Sequence, residues 1–309
     1  MVLLMEDKLA GRLLGYYVPQ ILIGFAIFVL IAAQGRKVKT KYWKYACRIC
    51  LPLVPHILSM YLLSSSDTLI ITQICGVEYT AVYSIANSAY HIVTILFDSM
   101  NKAWAPWLLE SLHYKKYDEI RKVSKLYIAI FMVLIAGVLM LAPEIILILG
   151  GKRYAGAVYC MPPLITSCVL QLIYTMYVNI EFYEKKTIGV SIATIIATTV
   201  NIILNFIFIP MNPERSYVIA AYTTLTGYTI LFVMHYLIVR KMKMDFVFDI
   251  RFILVMIVVT FALSGVMNLL YNITYVRYAI VLVYGLVVLY IGYRNKDRIL
   301  GVFRKRKGA

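Results

Sequence analysis

The chain has 309 residues, 62% of them hydrophobic and 15% charged, with a mean hydropathy of +0.80. That balance excludes an ordinary water-soluble domain. The net charge of +16 does not point to nucleic acid, because the Lys and Arg excess lies in short connections between long apolar runs.

Runs of roughly 20 apolar residues suffice to cross a hydrocarbon core about 30 Å thick. Nine such spans are predicted, near 13–34, 49–72, 80–105, 126–149, 157–180, 187–210, 217–239, 252–271 and 275–293. Their connections alternate in charge. The segments 35–48, 106–125, Lys185–Lys186, 240–251 and the tail from Arg294 hold 24 of the 31 Lys and Arg; the other set holds six. Positive connections stay cytoplasmic, which predicts an external N-terminus and a cytoplasmic C-terminus. The same basic segments meet anionic membrane lipids. Residues 1–12 do not read as a cleavable leader, and an external start before nine spans predicts an odd number of helices upstream.

In chain order, Pro52 and Pro55 predict a kink where the second span begins. That span also carries His56 and Asp67 at membrane depth. The third span holds Asn87, His91, Thr94, Asp98, Asn101 and Lys102, spaced so that they share one helical stripe. Ionisable groups are costly inside a bilayer and default to a functional reading. The stripe either lines a water-filled cavity or is a self-satisfied Asp98–Lys102 pair, acid four residues before base, near the headgroups. Residues 107–125 read as a short amphipathic helix lying at the interface. Ser167, Gln171, Thr175 and Asn179 in the fifth span, and Thr194, Thr198, Asn201 and Asn205 in the sixth, read as hydrogen-bonding seams between helices. The last two spans read as peripheral and lipid-facing.

No sizeable extramembrane domain is predicted, and no P-loop, H-E-x-x-H or G-x-S-x-G occurs. No catalytic residue, cofactor or metal is therefore expected. Cys47 and Cys50 form a lone C-x-x-C without a second pair or a nearby His. The Asn272-Ile273-Thr274 sequon is short enough to arise by chance.

Several segments together resemble a known family. The run Leu51-Pro52-Leu53-Val54-Pro55-His56, then Ser65-Ser66-Asp67-Thr68 and Gly76-Val77-Glu78-Tyr79-Thr80-Ala81, resembles the seventh-helix region of bacterial Wzx-type oligosaccharide flippases. These belong to the multidrug/oligosaccharidyl-lipid/polysaccharide exporter superfamily. Pro106 after Ala103-Trp104-Ala105, the segment from Asn201 to Pro210 with its second Asn at Asn205, and Ala220-Ala221-Tyr222-Thr223 also resemble that family. The chain departs from the pattern at Thr68, where Arg is usual, at Cys75 for Leu and at Ala81 for Gly.

The resemblance implies an all-α integral membrane fold of about nine transmembrane helices: a six-helix second lobe, one preceding helix and a C-terminal pair. Residues 1–35 would be the last helix of a first lobe otherwise absent, 36–240 the second lobe, and 241–309 the extra pair with a basic tail. It further implies a flippase in the bacterial cytoplasmic membrane that moves polyprenyl-pyrophosphate-linked oligosaccharide for surface polysaccharide synthesis, with an upstream-encoded first lobe as partner. Asn87, His91, Asp98, Asn101 and Lys102 would face the cavity, with His56 and Asp67 behind them. Two readings compete: a drug/cation antiporter of the same superfamily, and a non-transporting scaffold or truncated remnant.

Overall fold

The computed structural model of the chain describes residues 8–35 and 39–294. Part of the charge asymmetry, in residues 36–38 and the tail 295–309, lies outside the described residues, as do residues 1–7. The described residues form eleven α-helices joined by turns and short 3-10 segments, with no strand among them. Nine of these helices are long and apolar enough to cross a membrane. The chain is an all-α, multi-pass membrane protein.

Two compact units divide at Leu51 and Pro52. The first holds α1 (Lys8–Gly35), apolar around its circumference, and α2 (Thr40–Cys50). In α2, Lys41, Lys44 and Arg48 recur at helical spacing opposite Trp43, Ala46 and Cys50, the pattern of a helix lying at an interface. The division falls where Pro52 and Pro55 each lack a backbone N–H. Instead of a kink inside one span, the chain breaks: α2 ends at Cys50 and the next helix begins at Leu53.

The second unit contains α3 (Leu53–Ile74), α4 (Val77–His113), α5 (Tyr117–Met140), the short α6 (Ala142–Gly150), α7 (Met161–Tyr183), α8 (Thr187–Met211), α9 (Ser216–Lys241), α10 (Ile250–Leu270) and α11 (Thr274–Arg294). The most apolar stretch of α7 is 83% buried, against 6% for α11, so α7 is central and α11 peripheral. α9 and α4 pack on α7, α8 fits between α3 and α9, and α10 joins α7 to α5.

The separate interfacial helix expected over 107–125 does not exist. α4 runs on through Pro106 to His113, and α5 starts at Tyr117. Leu108, Leu112 and Ile120, expected to face lipid, are buried in the core of the unit. The apolar residues belong to two long helices that pack against each other, which single-helix periodicity cannot distinguish from one helix on a membrane surface.

Three helices end in the same way. After α4, α7 and α9, the residues Lys115, Lys185 and Lys243 adopt left-handed φ values of 56°, 57° and 56°. In each case the next amide reaches back to close the turn, as Lys116 N does to Ser111 O at 2.9 Å. This is the Schellman arrangement, in which Gly is usual. Lysine offsets part of the backbone cost by placing a cation at the negative end of a helix.

Asp249 caps α10, accepting from the amides of Arg251 at 3.1 Å and Phe252 at 3.2 Å. Its other oxygen meets Lys125 Nζ at 2.6 Å. The Lys125 hydrogen bond, with the two amides, holds the carboxyl below its ordinary range. Its contribution is therefore complete above the unfolded carboxylate range near pH ~4 and is lost as pH falls through the depressed value. Asp249→Ala should cost about 1 kcal/mol, mostly the cap, since both partners are partly exposed. Thermal unfolding at neutral pH and at pH 3 checks this: the difference from wild type should shrink at low pH.

Candidate functional site

The stripe on α4 lies on a face that other helices of the second unit leave largely open. His91, Asp98 and Lys102 are exposed, and Asn87 and Asn101 are half-buried. Helical spacing puts all five on one side, while Ala86, Tyr90, Val93 and Phe97 on the other side enter the core. The Asp98–Lys102 ion pair, one of the two alternatives for the stripe, is absent: among the described residues it is not one of the pairs within 4.0 Å, which join Lys116–Glu119, Arg121–Asp118, Lys125–Asp249, His235–Glu181 and Arg277–Glu144. Asn101 Oδ1 accepts from Asn179 Nδ2 of α7 at 3.4 Å. The exposed serines turn inward on their own helix, Ser88 to Ser84 O at 2.9 Å and Ser99 to Ile95 O at 2.8 Å.

At 37 residues, α4 is about 55 Å long, well beyond a ~30 Å core. Asp98 stands roughly 32 Å along the axis from Val77. Counted from a boundary at Val77, His91 falls within a ~30 Å core, Asp98 stands at its edge and Lys102 beyond it, toward the end that carries the Lys-capped turns. Ionisable groups on an uncovered face at this depth require water or a polar partner.

His56 and Asp67 occupy a different place. They belong to a seam in which α3 and α8 run parallel, bonded rung by rung. Ser191 donates to Pro52 O, Thr198 to Ser59 O at 3.0 Å, and Ser66 to Asn201 Oδ1 at 3.4 Å. His56 Nδ1 lies 2.6 Å from Thr194 Oγ1. The same hydroxyl lies 2.8 Å from Val190 O, one turn back on α8. At the last rung the Asp67 carboxylate, 1% exposed, accepts from Asn205 Nδ2 at 2.6 Å, from Tyr83 Oη at 2.7 Å and from Thr224. Four helices, α3, α4, α8 and α9, thus converge on one carboxylate. Asn205 in turn accepts from Thr223. Both Asp67 oxygens have donors, which makes the group a hub between the helices.

A second buried pair escaped sequence reasoning. Glu181 of α7 and His235 of α9 are both 0% exposed, with Oε1 and Nδ1 2.6 Å apart. His235 is the one ionisable group deep inside α9, a signal that intramembrane charge alone would have supplied. Arg277 was also missed. Read as a loop charge, it sits 3% exposed against Glu144. The five cysteines are free, and no group of three or more His, Cys, Asp or Glu able to hold a metal occurs among the described residues.

No family model and no solved structure matches this chain. Over 204 residues it is 22% identical to a Haemophilus influenzae protein named "Lsg locus putative protein 1". The match takes in 63% of this chain and 51% of that protein, so the chain spans about half the length of the curated relative it matches.

Proposed function

We propose that the chain forms part of a flippase that carries polyprenyl-pyrophosphate-linked oligosaccharide across the bacterial cytoplasmic membrane, with its C-terminus inside. The observation that carries this reading is the uncovered face of α4, with His91, Asp98 and Lys102 exposed and Asn87 and Asn101 beside them. The family resemblance of the second, third, sixth and seventh spans supplies the substrate class. In this reading the α4 face lines a wet path that a first lobe closes from the other side, and the two lobes rock in alternating access. Lys102, unpaired within the unit, meets the pyrophosphate as it enters from the cytoplasmic side. Asp98 repels a bound anion and so favours its release.

One observation favours a drug/cation antiporter instead: Asp98 lacks the compensating pair with Lys102, and a bare carboxylate suits a cationic ligand. Lys102 on the same face opposes it. The two are separated by expressing the chain, alone and with a five-helix first lobe, in a bacterium lacking its polysaccharide flippase. The flippase reading expects surface polysaccharide to return with the lobe, and Lys102→Ala to cut it about tenfold or more, the worth of one charge-assisted contact. Failure of a correctly inserted pair to restore polysaccharide, together with gained resistance to cationic drugs that Asp98→Asn abolishes, would establish the antiporter.

A further inference from the structure

Glu181 and His235 are a buried acid–base pair that packing does not account for. One hydrogen bond joins them, while Glu181 Oε2 and His235 Nε2 have no partner among the described residues. Other buried atoms also lack a partner, Arg277 Nε among them, but among the described residues only here does each member of an acid–base pair keep such an atom. Here the bare Oε2 faces Gly189 of α8, where an added Cβ would stand 3.3 Å away. The Tyr174 ring lies over the imidazole at 5.5 Å and 19°.

We propose that Glu181 and His235 form a proton-binding site whose occupancy is linked to the parting of α8 from α7 and α9. Its use in coupling transport to a proton gradient rests on the transporter reading; the binding itself does not. With Nε2 protonated and one further proton shared between Oε1 and Nδ1, the pair is neutral and tolerates a dry site. Loss of that proton to water leaves a net negative charge, and gain of a second leaves a net positive one. Either charged state needs hydration. The closed form therefore holds one proton, and the open form releases it.

The way out is short. Glu181 lies two residues before the end of α7 and Gly189 two residues into α8, so the pair sits directly beneath the Lys-capped turn between them. α8 carries no ionisable side chain at all. From α3, His56 is near enough to act electrostatically on His235, and its bond to Thr194 ties it to α8. The other facing groups are Tyr174 and Tyr177 of α7 and Tyr228 and Tyr236 of α9. Asp98 of α4 acts on Tyr174 and Asp245 on Tyr177. α5 and α10, also packed on α7, bring Lys125 and Arg251, of which Lys125 is paired with Asp249.

The test needs no transport substrate. Spin-labelled amino acids at Lys186 and Met242 report the separation of the α7–α8 turn from the end of α9, in the full chain in lipid nanodiscs, from pH 5 to 9. Release of one proton on opening makes the open-to-closed ratio rise up to tenfold per pH unit, and Glu181→Gln and His235→Asn each abolish that slope. A ratio independent of pH in the wild type overturns the proposal, as does a slope unchanged in either folded variant. Because the wild-type slope decides by itself, a variant that fails to fold leaves the test intact. A polysaccharide assay that fails while this slope is present counts against the flippase reading only.

Discussion

Asp67→Ala should destabilise the second unit by about 3–5 kcal/mol, from the three buried donors it strands. The estimate follows from what is left behind. Tyr83, Asn205 and Thr224 all donate to this carboxylate, and each donor stranded in the interior costs roughly 1–3 kcal/mol, less where it finds a new acceptor. Asp67→Asn should cost less, about 1–3 kcal/mol. Its amide oxygen still accepts from Asn205, and the Tyr83 and Thr224 hydroxyls can rotate to accept from its NH2, at the loss of the donors those hydroxyls gave the carboxylate. Reversible unfolding in mild detergent measures both variants. A loss under 1 kcal/mol for Asp67→Ala would show that the carboxylate is not the hub of the four helices.

The second large effect is at Arg277, in the first turn of α11. The guanidinium is 3% exposed and meets both carboxylate oxygens of Glu144, 29% exposed, while donating to Met140 O at 3.1 Å. Tyr278 Oη donates to the same carboxylate at 2.8 Å. The two partners are unequal. Glu144→Ala leaves a buried cation with one carbonyl and the Tyr278 ring, 4.9 Å away, and should cost about 3–5 kcal/mol. Arg277→Met leaves a carboxylate that water already reaches, and an unbranched apolar chain fills much of the same space, so it should cost clearly less. Because the rest of α11 is mostly exposed, the loss should appear locally. Hydrogen exchange in α11 should rise in Glu144→Ala while that of α7 stays put. Equal effects of the two substitutions would contradict the burial argument.

The spans were legible because length and hydropathy act within one helix: all nine helices fall where apolar runs of sufficient length occur. The polar stripe of α8 was legible for the same reason, since Thr194, Thr198, Asn201 and Asn205 repeat at helical spacing. What a stripe meets is a tertiary fact. Asp98 and Asp67 look alike in sequence, each a carboxylate in a span. Yet one lies exposed and the other takes donors from three further helices. Glu181 and His235 are solitary in their own helices, so no spacing rule joins them. Arg277, three residues into its helix, cannot be told from a loop charge until Glu144, 133 positions earlier, is found beside it.

The convergence on Asp67 also has a history in time. Tyr83 is made 16 residues after it, but Asn205 and Thr224 follow by 138 and 157. At roughly 5–20 residues per second of synthesis, α3 waits on the order of 8–30 s with most of its carboxylate's partners unmade. Throughout that interval the nascent α3–α4 hairpin holds an acid at membrane depth with a single phenol to meet it. A chain halted before Asn205 leaves that acid with the Tyr83 phenol alone for good, which gives insertion chaperones and membrane proteases a chemical difference between unfinished and finished protein.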